Sequence, residues 1–541
     1  MDGPVSLALL PSPRLVFEDV KLRSSDGSLE ARVASAEATF ALLPLIGSRF
    51  EFSSLTLDRA QLSLQFGKAL AQRLDSLAAP QAAPKETAAP PQRPLRLALR
   101  DSTVAFKGAG DDERFALSGV DLKIDWPFED APLSLAGTAV VSGEPLTVSG
   151  FAPRPGALRQ GGTTPAQFEA VSQSASPAIA LHIDGVLSGK AGLRFDGALH
   201  GALAGLAAAD DTARARAPLR VDADLGVNAA GAALSALRLE LGQSVLEGSL
   251  QATVVEAGTP GARVSIAGTL AAAALALDPL PQLLPRWRDA AGKWSAAPLD
   301  AVRLRRTDLD LRVSAAVVTL GAMRGEDAAL SVLVRNGRFN FALQELRAYG
   351  GKARASLAGA SIGERLEARG EAQFGDIDMA RLAQDAPGVK RLSGIAQGSV
   401  GVSLQGGSIA ALAASLEGGA QLRFANGEIQ GLNFEQALRR LERKPGSVPA
   451  VLAAGATAFD NLDVPAKITN GVARLGEALL TGPGARAQFR GDIDLNRQRV
   501  AITSVASLAG DGAPLQSLSV DISGSLSELV VVPRLVGVGA P

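Results

Sequence analysis

Cysteine is absent from the 541 residues, and histidine occurs only twice, at His182 and His200. The first absence removes disulfides, thiolate metal sites and cysteine nucleophiles. The second leaves little imidazole for acid–base or metal chemistry. Neither histidine stands in a His-Glu-x-x-His or other close ligand spacing, so both are expected as ordinary surface residues. Aromatic residues make up 4% of the chain, with one Tyr and three Trp. Thick globular cores use more large rings than that, so a thin, extended structure is expected. Net charge is −1, from 54 basic and 55 acidic residues. No basic field is available to neutralise phosphates, and nucleic acid is not an expected partner. Long apolar runs are missing too. The best, Leu270 to Leu277, stops at Asp278, well short of the roughly 20 residues a membrane-spanning helix needs. The opening "MDGPVSLALLPSP" has no charged n-region or long apolar core, so the sequence as given reads as untargeted.

Catalytic patterns are equally scarce. "GPGARA" and "GVGAP" lack the Lys-Ser/Thr and following helix of a phosphate loop. "GDID" occurs at 375–378 and 491–494. Asp492 and Asp494 share one strand face, but a calcium loop needs six or more oxygens. Both are expected as solubilising carboxylates. No enzyme activity, metal or cofactor is expected.

What the chain does have is alternation. "VDLKIDW" sets Val120, Leu122 and Ile124 against Asp121, Lys123 and Asp125. "LRVDADLGVN" sets Val221 and Leu225 against Arg220, Asp222 and Asp224. "DLDLRVS" sets Leu309, Leu311 and Val313 against Asp308, Asp310 and Arg312. "GARAQFRGDIDLN" carries Phe489, Ile493 and Leu495 on one parity, and "LSVDIS" carries Val520 and Ile522. Period-two patterning of this kind predicts half-buried antiparallel strands. Turn signals separate the runs: "SSDGS" at 24–28, "GAGDDE" at 108–113, and Asn-Gly at 336–337, 426–427 and 470–471. Asn-Gly favours tight hairpins, so neighbouring strands are expected to be mostly hairpin partners. The fold expected is mostly β: an elongated, curved antiparallel sheet, a groove-like meander with a few short helices. The apolar residues just named are the candidate lining of its greasy face.

Helices are expected at 67–77, 378–386 and 433–444, the last with Asn433 as cap and a Phe434, Leu438, Leu441 stripe. The order expected is an N-terminal β region over 1–77, a Pro/Ala-rich linker over 78–94, and a middle meander over 95–284. A connector at 285–300 and a C-terminal β region over 301–541 complete it. Residues 152–178 show no period and are expected as a surface excursion. Trp287 and Trp294, in the connector, suit either a membrane interface or structural anchoring.

Five stretches carry a family resemblance. "GPVSLALLPSPRLVFEDVKL" followed by "ASAEATFALLPLIGSRFEFSSLTLDRAQLSLQ", then 294–360 and 391–438, then "TAFDNLDVPAKITNGVARLGEALLTGPGARAQFRGDIDL" at 457–495, resemble AsmA-family proteins in order and spacing. The resemblance implies a bridge-like lipid-transfer architecture in the periplasm of a diderm bacterium. It implies phospholipid as ligand, with acyl chains in an apolar groove, and a role in outer-membrane biogenesis. It also implies an inner-membrane anchor helix ahead of Gly3, which this chain lacks, as expected of a trimmed ectodomain. Envelope or outer-membrane proteins are the further partners implied. The alternative it leaves open is a scaffold for outer-membrane protein assembly.

Overall fold

The computed structural model describes residues 5–8, 13–24, 29–40, 52–65, 95–107, 113–128, 130–141, 143–173, 179–190, 192–203, 218–255, 263–278, 287–289, 292–299, 301, 303–386, 389–441, 443–509, 517–525 and 528–534. The expected helix at 67–77, the linker at 78–94 and the turns at 25–28 and 108–112 lie outside the described residues. The chain divides into two compact units, Met1–Leu270 and Ala271–Pro541. Each is built on an open antiparallel meander, and among the described residues no strand pairing closes either into a barrel.

In the first unit, successive strands from Val5–Ala8 to Ser244–Val255 pair in sequence order. One pair departs from the hairpin expectation: Phe52–Gln65 and Leu95–Lys107 run parallel. Parallel neighbours need a long connection, and here 29 residues separate the two strands. A second departure lies in 152–178. Thr163–Ser172 is a regular strand paired on both sides, preceded by a short 3-10 turn at Pro155–Gln160. Its "TTPAQFEAVS" alternates weakly because Ala and Thr occupy inward positions, which hid it among loop-like residues. Buried residues of this unit gather around Val20, Val33, Ala60, Leu99 and Val120.

In the second unit, thirteen strands run from Thr307–Leu320 to Glu528–Arg534, each pairing with the next. Two of the three Asn-Gly pairs close hairpins as expected. Arg335 pairs with Arg338 and Thr469 with Val472, with Asn336 and Asn470 left-handed at φ 49° and 50°. The third does not. Asn426 is left-handed inside the 14-residue strand Glu417–Gln430, where that strand's neighbour changes from Ile395–Gly406 to the segment at 391–393.

Short helices sit at the strand ends. Met379–Asp385 is capped by Asp378, whose side chain accepts from the Ala380 and Arg381 amides. Phe434–Leu441 starts where Asn433 Oδ1 accepts the Gln436 amide at 3.1 Å, the cap expected from sequence. Buried Thr457 accepts the Phe434 amide at 3.0 Å and donates to the Leu432 carbonyl. Besides the single turn Arg303–Arg306, two helices among the described residues were not anticipated, Ile409–Ala414 and Val448–Ala453. Both are short and Ala/Val-rich, with no apolar stripe long enough to read.

Along one rim of this unit, the described residues of 292–304 are bonded as a strap to successive strand turns. Leu304 O accepts the Gly337 amide and Ala301 O accepts Ser361 Oγ. The Leu299 amide donates to Gly407 O, and Trp294 Nε1 donates to Leu495 O at 2.9 Å. Gln498 Nε2 donates to Gly292 O.

Candidate functional site

The register of the strands decides whether the alternating apolar residues make one surface. Directly paired residues share a sheet face, so pairings can be followed across each unit. In the first unit, one line runs Phe17, Ala36, Leu57, Leu99, Leu122 and Gly137. It continues through Val148, Ala170, Leu181, Gly201, Val221, Leu239 and Leu246. Every member is apolar or glycine over thirteen strands. It joins two of the predicted lining residues, Leu122 and Val221, which lie 99 positions apart in sequence. Ile124 starts a neighbouring line through Leu135, Gly150, Phe168, Ile183 and Leu199. Leu225 pairs with Gly197 and Leu234. Val120 is buried opposite Ser102, in the packed cluster.

The second unit repeats the arrangement. Leu311 leads through Val332, Phe341, Leu357, Gly370, Val402 and Gly418. The line goes on through Ile468, Ala473, Ile493, Val500, Gly524 and Leu529. Beside it, Val313 leads through Leu330, Leu343, Ala355, Ala372, Val400 and Ala420. That second line ends through Ala466, Leu475, Gly491, Ile502, Ile522 and Val531. Both cross all thirteen strands without one polar side chain. Leu309 belongs to a third line, with Val334, Phe339, Gly359, Ala368 and Leu404.

These lines are not uniformly covered. Leu311, Val313, Val400, Val402 and Ile493 are only half-buried, and Leu330 is exposed. Over the later strands, in contrast, the helices Phe434–Leu441 and Val448–Ala453 pack onto the same face. Phe434, Ala437, Leu438, Val448 and Leu452 are fully or almost fully buried there, against Leu480, Ala487, Leu518 and Val520. Phe434 and Phe489 meet edge-inclined at 6.2 Å. Of the predicted lining residues, Phe489, Val520 and Ile522 therefore sit in a protein-packed core beneath the helices, while Leu311, Val313 and Ile493 are half-buried, Ile493 beside buried Ala473 and Val500. Leu495 is half-buried at the rim, where its carbonyl holds Trp294.

The opposite face is polar and self-paired. Arg474 Nε meets Asp492 at 3.0 Å, Arg423 meets Asp463 at 2.6 Å, and Arg490 meets Glu477 at 2.7 Å. The Asp492 hydrogen bond and charge push the Arg474 pKa up. All are exposed, solvent-screened pairs, and they keep that face wet. A concavity of about 880 Å³ lies on this side, lined by Arg354, Gln373, Gln397, Arg423 and Asp463. Asp494 has a different duty from the one expected: it accepts the Asn496 and Arg497 amides and shapes the turn.

No helix among the described residues is long and apolar enough to cross a membrane. Trp294 is an anchor, holding the rim and carrying the Arg288 guanidinium 4.6 Å above its ring, while Trp287 is exposed.

The model of the AsmA family matches residues 271–477, a span that contains most of the second unit's apolar lines and the helices packed on them. No curated protein and no solved structure matches the chain. Residues 271–477 are thus an AsmA family region.

Proposed function

We propose that this protein is a non-enzymatic lipid-binding and lipid-transfer protein of the cell envelope. Its apolar sheet face receives phospholipid acyl chains, and it assists phospholipid movement between inner and outer membranes from a periplasmic position. The observation that carries this reading is the pair of unbroken apolar lines across thirteen strands, half-exposed where no helix covers them. A soluble protein rarely leaves a large contiguous apolar surface open unless something binds there. A 16-carbon chain in water costs about 0.8 kcal/mol per CH₂, or roughly 12 kcal/mol. A face that shields the chain at every strand needs no metal, nucleotide or catalytic group. Accumulated sheet twist over so many strands gives the curl of a groove, and the Gly and Ala positions leave room for a chain that Phe or Trp would fill.

The helices packed over Phe489 and Val520 favour a second reading for that end alone: a closed, structural core serving as a scaffold in outer-membrane protein assembly. Lipid extraction and native mass spectrometry of detergent-free protein separate the two. Co-purifying phospholipid, with uptake of a fluorescent phospholipid, is expected. Protein that carries none and takes up none refutes the groove and leaves the scaffold.

A further inference from the structure

The chain's only two histidines, 18 positions apart, stand directly opposite one another on neighbouring strands, His182 in Ile179–Ser188 and His200 in Arg194–Leu203. The next strands on either side extend the row. Glu169 pairs with His182, and Asp222 pairs with His200. Four consecutive strands thus present Glu, His, His and Asp in register on the polar face, away from the apolar lines.

We propose that this row is a surface site for a borderline transition-metal ion, zinc foremost, with His182 and His200 as its imidazole ligands. Opposed side chains on paired strands have Cβ atoms about 4.5–5.5 Å apart, a separation two imidazoles span when each binds one ion at roughly 2.0–2.1 Å. His200 is already oriented for it. Its Nδ1 lies 2.7 Å from Asp222 Oδ1, which leaves Nε2 free for the ion. A carboxylate on the far ring nitrogen is the usual support of a metal-bound histidine. Asp184 Oδ1, 3.6 Å from His182 Nε2, supplies a carboxylate ligand beside the second imidazole, and water completes the shell. Nitrogen donors of this kind suit Zn²⁺, Ni²⁺ and Cu²⁺ and discriminate against Mg²⁺ and Ca²⁺, which require oxygen.

As placed, no three such groups among the described residues converge. The two histidine side chains are 49% and 56% exposed, so no packing resists the rotation that brings them onto one ion. The ion would clip two neighbouring strands together from outside.

The test is calorimetric titration of ZnCl₂ into tag-free full chain in a non-chelating buffer, with MgCl₂ as the parallel probe. One saturable Zn²⁺ site, a metal-dependent rise in melting temperature and no Mg²⁺ site are expected. His182→Gln or His200→Gln should weaken binding at least tenfold, and Asp222→Asn by about tenfold through loss of the supporting carboxylate. Wild-type protein without a saturable Zn²⁺ site overturns the proposal. So does a site whose affinity survives His182→Gln and His200→Gln combined, since the ion then binds elsewhere. Circular dichroism of each variant confirms that these exposed substitutions leave the sheet folded.

Discussion

Leu311 and Leu438 carry the sharpest contrast between an open apolar face and a packed one. Leu438 is fully buried on the inner side of its helix Phe434–Leu441, whereas Leu311 is half-buried on its strand. Aspartate at 438 places a carboxylate in the buried apolar cluster that holds Phe434, Leu452 and Leu480. That combines lost packing with a desolvated charge, and more than about 4 kcal/mol of destabilisation follows. Aspartate at 311 keeps its charge in contact with water and costs about 1–2 kcal/mol of stability. Its effect falls on the ligand. An acyl chain crossing that strand loses contact for about two methylenes, near 1.6 kcal/mol at about 0.8 per CH₂, which is roughly fifteenfold in affinity. Titration with a fluorescent phospholipid, read beside a thermal melt, measures both quantities on the same samples. Leu311→Asp should retain most of the melting temperature and lose lipid affinity; Leu438→Asp should lose the melt. Equal thermal losses would make the Leu311 line an interior core, and unchanged lipid affinity would show that the line carries no acyl chain. Either result refutes the reasoning.

Asp378→Ala removes the acceptor for the Ala380 and Arg381 amides and should cost about 1 kcal/mol, read by chemical denaturation. Gly491 lies on the Val313 line at φ 149°, and a Cβ there would stand 2.2 Å from the Ala501 carbonyl oxygen. Gly491→Ala should destabilise by about 1–3 kcal/mol, with a lower melting temperature as the readout. Tyr349, the chain's sole tyrosine, has its pKa raised above 10, chiefly by burial and further by its 3.1 Å hydrogen bond to Asp385. Its contribution to stability is complete below the ordinary tyrosine pKa and disappears as pH rises through the folded value. Absorbance at the tyrosinate band should report the raised titration, and Asp385→Asn should lower it; a titration at the ordinary position in the wild type would contradict the burial.

The individual strands were legible because their chemistry is local. In "GARAQFRGDIDLN", the period-two pattern gives the strand Ala485–Asp494 and assigns Ala487, Phe489 and Ile493 to one face. What that pattern cannot carry is register. That Leu311 and Ile493 belong to one line, 182 positions apart in sequence, depends on eight intervening strands and on bulges such as those between Ala466 and Asp463 or Leu475 and Ala478. The fate of Phe489 was hidden for a similar reason. Its apolar character is the same whether it meets a lipid or Phe434, and the stripe Phe434, Leu438, Leu441 announces a buried helix face without naming the surface it covers. The paired histidines were invisible as a pair because a spacing of 18 matches no helical or loop ligand motif; only the hairpin register brings them together.

The rim strap has a mechanical consequence. Successive turns along that rim are two strands apart, so the distance from the Gly337 turn to the Leu495–Gln498 turn is roughly 38 Å along a flat sheet at about 4.8 Å per strand. Residues 292–304, which are bonded at both places, reach about 40–43 Å when fully extended. The segment thus just spans the rim of a flat sheet, with a few ångströms to spare, and any arc leaves it slacker. The separation of the end turns on this rim therefore has an upper limit, set by the length of one segment of chain.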